Sequence, residues 1–383
     1  MLNKNLLIVI GGDRTGNYET MAPIVNELAR SFNYEILTVI QEESLFNKVN
    51  SSVVLSKVFC SNKCFFIKRG MFGLFHNLMA FISLIFQILK YKKISLLTNR
   101  RDLTFKFYVL YKILSIFSAK KYYTSSNCRS AKTNPRQILG NTKPNSSRNY
   151  LVDYALIPTH EHTIEYGVIG YKYDQLVVTG YPKFYPSWKN YLSSIIVDSN
   201  PEYSDVLFVF TKDYSELKKV IFEVLLTIMK CNNFNKIILK PHPTMSVAEL
   251  LEIIKEIKIP KNKQISISEE NVAFLSFGTK TILSYATSAA YDAKIFGKHL
   301  INYYTHSEEF VNKCRNNEFI TMDNYEIMSS SIACDFIADN TCYGVGELKN
   351  ALEQISVNNI PSKIEPYMKD TLEGVENLHE VFL

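Results

Sequence analysis

The sequence predicts an α/β protein that contains two doubly wound parallel sheets. The chain has 383 residues, which is more than one ordinary α/β domain holds and enough for two separate cores. Apolar residues make up 46% and charged residues 21% of the sequence, as in folded globular proteins. In both halves, short apolar runs alternate with longer amphipathic segments, as expected of buried strands joined by helices.

The first half of the chain is predicted to form an N-terminal domain over residues 1–180. Its predicted strands are 6–10, 35–40, 94–98, 121–124, 155–158 and 176–179, and its helices lie near 21–30 and 103–118. The polar stretch 129–149 is predicted to be a loop. Prolines interrupt 182–201, where we expect no regular structure, so the hinge between domains is placed at 181–204.

The second half is predicted to form a C-terminal domain over residues 205–360. Its predicted strands are 206–210, 236–240, 264–268, 281–284 and 300–303. Residues 361–383 follow the last strand and have the spacing of an amphipathic terminal helix.

Charge is distributed unevenly along the chain. The net charge is +6, but residues 1–150 hold 22 lysines and arginines against 7 acidic residues. A basic half is typical of proteins that bind nucleic acid, an anionic acceptor or an anionic membrane surface. We find no aromatic-basic motif for nucleic acid, so a lipid surface or a lipid-linked acceptor is the expected partner.

The segment 71–91 is apolar and aromatic, and lysines and an arginine flank it. His76, Ser83 and Gln87 share one helical face within it, while Phe72, Phe75 and Phe86 share another. Such a helix fits a membrane surface or a groove, and a buried core helix explains the pattern equally well. The polar interruptions argue against a membrane span.

The seven cysteines are odd in number and scattered, and the N-terminus has no secretory signal pattern. We therefore expect free thiols in a reducing cytoplasm. Cys60 and Cys64 form the one close pair, and they have no neighbouring ligand cluster that would predict a metal site.

The sharpest local signal is Lys240-Pro241-His242-Pro243, which lies where a predicted strand ends. Ser246 to Glu249 match a capping box, so the next helix is expected to begin at Ser246 with its amides directed towards His242. A lysine, a histidine and a helix start form a suitable seat for a phosphate. The alternative is that the two prolines only end the strand.

Two further segments follow predicted strands of the same domain. Thr287-Ser288-Ala289-Ala290-Tyr291-Asp292 comes after the strand that ends at Ser284. Its hydroxyl groups either cap the next helix or donate to a phosphate. Thr211 and Lys212 follow the first strand of the domain, and Asp213 and Glu216 are expected as N-cap and N3 of the next helix. Ligands of doubly wound sheets bind outside the carboxyl ends of the strands, where all three segments fall.

These segments also carry a family resemblance. Ile237–Pro243 (IILKPHP) resembles the histidine-proline motif of bacterial sialyl-, polysialyl- and Kdo transferases and of CDP-glycerol glycerophosphotransferases of teichoic acid synthesis. Thr287-Ser288-x-x-Tyr291-Asp292 resembles their serine motif, and the likeness extends over about residues 177–304. Tyr285 stands where the teichoic acid enzymes carry aspartate, so the resemblance points to the group and to no single member.

The resemblance implies a GT-B fold, in which two Rossmann-like domains face a central cleft. It also implies metal-independent transfer from a nucleotide-activated sugar, with no cofactor. The donor-binding residues that it suggests are Thr211, Lys212, Lys240, His242, Pro243, Ser284, Thr287, Ser288 and Asp292. Physically, a histidine, hydroxyls and helix ends replace a divalent cation in stabilising the charge of the leaving nucleotide.

The first domain supplies candidates for the general base. Gly11-Gly12-Asp13-Arg14-Thr15-Gly16 forms a glycine-rich loop after the first strand, and Asp13 is positioned to deprotonate an acceptor hydroxyl. A glycine-rich turn without function is the alternative. His160, Glu161 and His162 form a second set, whose spacing does not favour a metal site.

Together these observations predict an inverting glycosyltransferase of surface polysaccharide synthesis: capsule, O-antigen or lipooligosaccharide. We expect a CMP-activated sugar such as sialic acid or Kdo as donor, a glycan or glycolipid acceptor, and a peripheral location on the cytoplasmic face of the plasma membrane. The alternatives are a CDP-glycerol or ribitol type polyol-phosphate transferase, a UDP-sugar 2-epimerase and a noncatalytic GT-B partner.

Overall fold

A computed structural model provides the structure of the chain. It describes residues 5–12, 14–40, 42–60, 63–66, 71–99, 105–124, 152–160, 162–163, 166, 171–199, 203–211, 216–242, 245–316, 332, 334–335, 337–357 and 365–383. The described residues form two compact units. The first comprises those of 5–124, 152–191 and 367–383, and the second comprises those of 192–366.

The first unit is built on a seven-stranded parallel sheet. Its strands are β1 (Asn5–Ile10), β2 (Tyr34–Ile40), β3 (Lys63–Phe66), β4 (Lys93–Thr98), β5 (Lys120–Thr124), β6 (Tyr154–Ile157) and β7 (Leu176–Val178). They are arranged in the order β3-β2-β1-β4-β5-β6-β7. The direction of winding reverses between β1 and β4, which makes that point the topological switch point of the sheet.

Helices connect the strands of this unit. They are α1 (Thr15–Ser31), α2 (Glu43–Ser51), α3 (Met71–Ile88) and α4 (Phe105–Phe117), and α5 (Pro186–Ser199) follows the sheet. A short turn, Val53–Leu55, runs into a π-helical turn, Ser56–Cys60. Helices α3 and α4 pack on one face of the sheet, where their buried side chains share a core with strand residues such as Leu6, Ile8 and Leu96.

The last helix, α12 (Glu365–Phe382), packs against the first unit through its final turns. The Phe382 ring stacks on Tyr122 with centroids 3.8 Å apart. The His379 ring nitrogen Nε2 lies 2.7 Å from Oε1 of buried Glu27. Burial alone would raise the pKa of Glu27, but its hydrogen bonds, including that with His379, lower the pKa below the ordinary value.

The second unit contains a six-stranded parallel sheet. Its strands are β8 (Ser204–Phe210), β9 (Lys236–Lys240), β10 (Gln264–Ile267), β11 (Thr279–Tyr285), β12 (His299–Tyr304) and β13 (Asn340–Tyr343). The order is β10-β9-β8-β11-β12-β13, so the switch point lies between β8 and β11. The helices are α6 (Leu217–Lys230), α7 (Val247–Lys255), α8 (Val272–Phe277), α9 (Ala289–Lys294), α10 (Glu308–Arg315) and α11 (Val345–Val357).

A buried ion pair fixes one side of the second sheet. Nζ of Lys294 donates to the carboxylate of Asp339, and the two side chains are only 1% and 2% exposed. The same carboxylate accepts the Leu300 amide at 2.7 Å, which ties the start of β12 to the chain entering β13. Asp339 is therefore satisfied by a cation and an amide, as a buried carboxylate requires.

The doubly wound α/β class is confirmed, and every predicted strand is present with its ends within two residues. Sequence reasoning missed β3 and β13, which are four-residue edge strands with mostly half-buried side chains. The expectation of no regular structure over 182–201 was wrong, because α5 occupies Pro186–Ser199 with its proline at the first helical position. The predicted loop 129–149 lies outside the described residues.

Candidate functional site

The carboxyl edge of the second sheet brings together three of the predicted segments. Strands β9 and β11 flank β8, and Lys240 and Ser284 both pair with Val209 of that central strand. His242 follows β9, Thr211 follows β8, and Thr287 and Ser288 follow β11. Strands in a sheet lie about 4.8 Å apart, so the two outer segments begin about 10 Å from each other on either side of Thr211.

The segment after β9 carries the cationic part of the site. Lys240, the last strand residue, is 9% exposed, and its Nζ lies 3.2 Å from the carbonyl oxygen of Pro241. His242 is half-buried, and its carbonyl accepts the amide of Met245, two residues before α7, at 2.9 Å. Ser246 is the N-cap as predicted, but its hydroxyl makes no capping hydrogen bond, so the expected capping box is not formed.

A backbone strain point lies in the segment after β11. Ala286 has a φ of +50°, a left-handed conformation that a residue with a Cβ seldom adopts, and its side chain is buried. Non-glycine residues in this conformation cost of order 1–3 kcal/mol and occur preferentially at functional sites. The strained turn directly precedes Thr287 and Ser288, and nothing in the sequence indicated it.

The two hydroxyl residues after this turn have different surroundings. Oγ1 of Thr287, which is 8% exposed, accepts the Ala289 amide at 3.2 Å, so it stabilises the start of α9. Ser288 is exposed, and in the described structure its side chain makes no capping hydrogen bond. The sequence left capping and phosphate donation open for both residues. In the structure Thr287 caps α9, whereas the Ser288 side chain makes no capping hydrogen bond. The two residues therefore differ, and phosphate donation stays open for Ser288.

A polar network lies behind this segment. Ser284 is fully buried and donates to Asn302 at 3.1 Å. Asn302 in turn donates to Asp335 at 2.8 Å, as do Tyr304 at 2.7 Å and Arg315 at 2.8 Å. Burial and the charge of Asp335 raise the pKa of the Tyr304 hydroxyl, which keeps it protonated as a donor. Ser284, predicted to bind the donor, is thus the first residue of an internal network that sequence reasoning missed.

Other predicted donor residues occupy the same edge. The Thr211 amide donates to the Tyr285 carbonyl at 3.1 Å and so joins the ends of β8 and β11. Asp292 lies half-buried on α9, four residues after Ser288. Glu216 is the N-cap of α6 and not its N3 residue as expected. Lys212, Asp213 and Pro243 lie outside the described residues.

Hydrogen bonds also connect the chain segments at the switch point of the first sheet, between β1 and β4. The Gly12 amide donates to Oδ1 of Asn99, which follows β4, at 3.0 Å, and Asn99 also donates to the Asn17 carbonyl at 2.9 Å. A Cβ at Gly11 would lie 2.3 Å from the ring of Tyr18, so packing alone requires glycine there. No comparable crowding occurs at Gly16, whose added Cβ would have Glu19 at 4.0 Å as its nearest neighbour.

The structure describes only part of the predicted base set. Asp13 and Glu161 lie outside the described residues. His160 is exposed, whereas His162 is 1% exposed and its Nδ1 lies 2.9 Å from the Thr159 hydroxyl. Within the described parts of the chain, no three histidine, cysteine or carboxylate side chains cluster as metal ligands.

Comparison with solved structures finds chains of the same architecture. UDP-GlcNAc 2-epimerase from Methanocaldococcus jannaschii, in complex with UDP-GlcNAc and UDP, superposes with a TM-score of 0.56 at 14% identity over 99% of both chains. The chain has a GT-B fold. The Neisseria meningitidis UDP-GlcNAc 2-epimerase bound to UDP-GlcNAc gives 0.51 at 13% identity, covering 98% of this chain and 100% of the other. UGT2 of Phytolacca americana, complexed with UDP-2-fluoro-glucose and pterostilbene, gives 0.50 at 11% identity over 98% of both.

Two of these neighbours are UDP-GlcNAc 2-epimerases, and the third is a UGT in complex with a UDP-sugar analogue. At this level of identity the likeness shows the fold alone. No protein-family profile matches the chain. No curated protein matches it either.

Proposed function

We propose that the chain is a nucleotide-sugar-dependent glycosyltransferase whose donor binds at the carboxyl edge of β8, β9 and β11. The observation that carries this proposal is the convergence of Lys240, His242 and Ser288 around the switch point of the second sheet. Sheets of this kind bind ligands at that point. An exposed serine hydroxyl beside a strained turn, with its capping task performed by Thr287, is a suitable hydrogen-bond donor for a phosphate oxygen.

The proposed chemistry assigns a role to each group. His242 and Ser288 donate to the donor phosphates, and the ammonium of Lys240 stabilises the charge that develops on the leaving nucleotide. Asp292, one helical turn beyond Ser288, accepts a hydrogen bond from a ribose hydroxyl. Thr211 and Ser284 position the site indirectly, Thr211 through its backbone hydrogen bond to Tyr285 and Ser284 through its hydrogen bond to Asn302. Asp13 remains the proposed general base.

The finer features of the proposal rest on the motifs and the charge pattern. Donor use of a CMP-activated sugar such as sialic acid or Kdo, with inversion, is supported by the histidine-proline and serine motifs. A surface-polysaccharide acceptor at the inner face of the plasma membrane is supported by the basic first 150 residues. No described helix is both long and apolar enough to cross a bilayer.

Turnover measurements test the transferase proposal. The protein is incubated with CMP-, CDP- and UDP-activated sugars, with and without glycolipid extracts, and nucleotide release is followed. We expect release that depends on the acceptor and is abolished in His242→Ala, with the fold of the variant verified by circular dichroism. Unchanged turnover in His242→Ala would contradict the phosphate role.

A UDP-sugar 2-epimerase is the second candidate, because 2-epimerases superpose on the chain over nearly its whole length. This activity needs no acceptor. Conversion of UDP-GlcNAc in the absence of any glycan would therefore establish the epimerase and exclude the transferase as the primary activity.

A further inference from the structure

Helix α3 carries a row of exposed apolar side chains. Met79, Ile82 and Phe86 of α3 and Leu89, which directly follows it, are spaced three, four and three residues apart. The Leu89 amide still donates to the Ile85 carbonyl at 3.1 Å, so the four residues share one side of the helix axis. Their exposed fractions are 51%, 40%, 65% and 62%, whereas Leu84 and Ile88 on the opposite side are buried in the core. One face of α3, with Leu84 and Ile88, therefore belongs to the core, and the opposite face, with Met79, Ile82 and Phe86, is exposed.

Helix α4 extends this surface. Val109 and Ile116 are 41% and 80% exposed and lie on one side of α4, with exposed Lys112 between them. Tyr111 and Leu114 on the other side belong to the core that α3 also joins, so the two helices lie in one layer on the same face of the sheet. We refer to Met79, Ile82, Phe86, Leu89, Val109 and Ile116 as the apolar stripe.

The charge around the stripe indicates which surface it fits. Lys90 and Lys92 directly follow α3 and Lys112 lies on α4, and all three side chains are exposed. Asp102, which lies outside the described residues, is the only acidic residue in the sequence 71–124. Neither α3 nor α4 carries a carboxylate. A second copy of the chain would place like charges opposite one another, whereas anionic lipid headgroups complement them.

We propose that the apolar stripe docks on the surface of an anionic lipid bilayer. The stripe would enter the boundary between headgroups and acyl chains while exposed Lys90, Lys92 and Lys112 contact headgroup phosphates, as in interfacial amphipathic helices. This mode requires an exposed apolar face and basic neighbours, both of which are present. The inference rests on the membrane location proposed above and not on the transfer chemistry.

Vesicle sedimentation tests the proposal. The full chain is mixed with phosphatidylcholine vesicles, alone or with about 30% phosphatidylglycerol, at low and high salt. The double variant Phe86→Ser/Leu89→Ser should lose at least about tenfold in partitioning into the anionic vesicles, because two large apolar side chains no longer enter the lipid. Wild-type binding should be weak on pure phosphatidylcholine and should fall as salt rises.

A matched control keeps the test specific. Val197 and Leu372 are 68% and 50% exposed and lie on other helices, so Val197→Ser/Leu372→Ser should bind anionic vesicles like the wild type. The proposal is overturned if the wild type fails to bind anionic vesicles or if both double variants lose binding equally. It is also overturned if ultracentrifugation shows a dimer that only the Phe86→Ser/Leu89→Ser variant dissociates. The assay contains no nucleotide, so its failure would leave the proposed donor site untouched.

Discussion

Replacing Ser288 by alanine separates the two roles that a hydroxyl at the start of α9 can perform. Because Thr287 accepts the Ala289 amide and Ser288 caps nothing in the described structure, Ser288→Ala removes no structural hydrogen bond. We expect the free energy of unfolding to change by less than about 0.5 kcal/mol. A lost hydrogen bond to a charged phosphate should weaken nucleotide binding by about 1–2 kcal/mol, or about 5- to 30-fold in Kd.

Ser307 provides the matched control. Its side chain accepts the Phe310 amide at 3.3 Å and caps α10, so it performs the task that Ser288 lacks. Ser307→Ala should lower the free energy of unfolding by about 1 kcal/mol and leave nucleotide affinity unchanged. Denaturant unfolding and calorimetric titration measure the two quantities. A stability loss in Ser288→Ala with unaltered nucleotide affinity would refute the assignment.

Three further predictions concern stability. Gly11→Ala should lower the free energy of unfolding by about 1–3 kcal/mol, because the added methyl group overlaps the Tyr18 ring; denaturant titration measures it, and a neutral outcome would contradict the packing. Lys294→Met should lower the free energy of unfolding by about 3–5 kcal/mol, because it leaves the Asp339 carboxylate buried without its cation. The same titration measures this loss, and a loss below about 1 kcal/mol would mean that the carboxylate reaches water. Since the pKa of Glu27 is lowered in the folded state, its stabilising effect is fully present above the ordinary pKa of 4.5 and is lost as the pH falls through the lower folded-state pKa. The stability advantage of the wild type over Glu27→Gln should therefore stay constant near neutral pH and shrink as the pH falls below about 4.5, and a difference that persists in acid would contradict the lowered pKa.

The sequence was most informative where burial is complete. Central strands of a parallel sheet are covered on both faces and appear as continuous apolar runs, as in Val206–Phe210 of β8. Edge strands lack this signature, which explains why Lys63–Phe66 and Asn340–Tyr343 were missed. Pro186 was taken as a break in structure, although proline at the first helical position costs no hydrogen bond.

For the candidate site, the sequence predicted only which residues follow the ends of the strands. The positions of His242 and Ser288 follow from the strands that precede them. The left-handed Ala286 was not predictable, because alanine carries no signal for a positive φ. The bond between Asn302 and Asp335 joins residues 33 positions apart, and no local pattern in the sequence indicates such a pair.

The proposed function requires that a nucleotide binds at His242 on the carboxyl edge of the second sheet. Calorimetric titration of CMP, CDP, UDP and GDP into the wild type and His242→Ala, without divalent metal, tests it most directly. We expect the wild type to bind a cytidine nucleotide in preference to the others, and we expect His242→Ala to bind it at least about tenfold more weakly with its fold intact. Tight UDP binding would instead indicate a UDP-sugar enzyme. Equal affinity in the two proteins, or no binding of any nucleotide to the wild type, would contradict the claim.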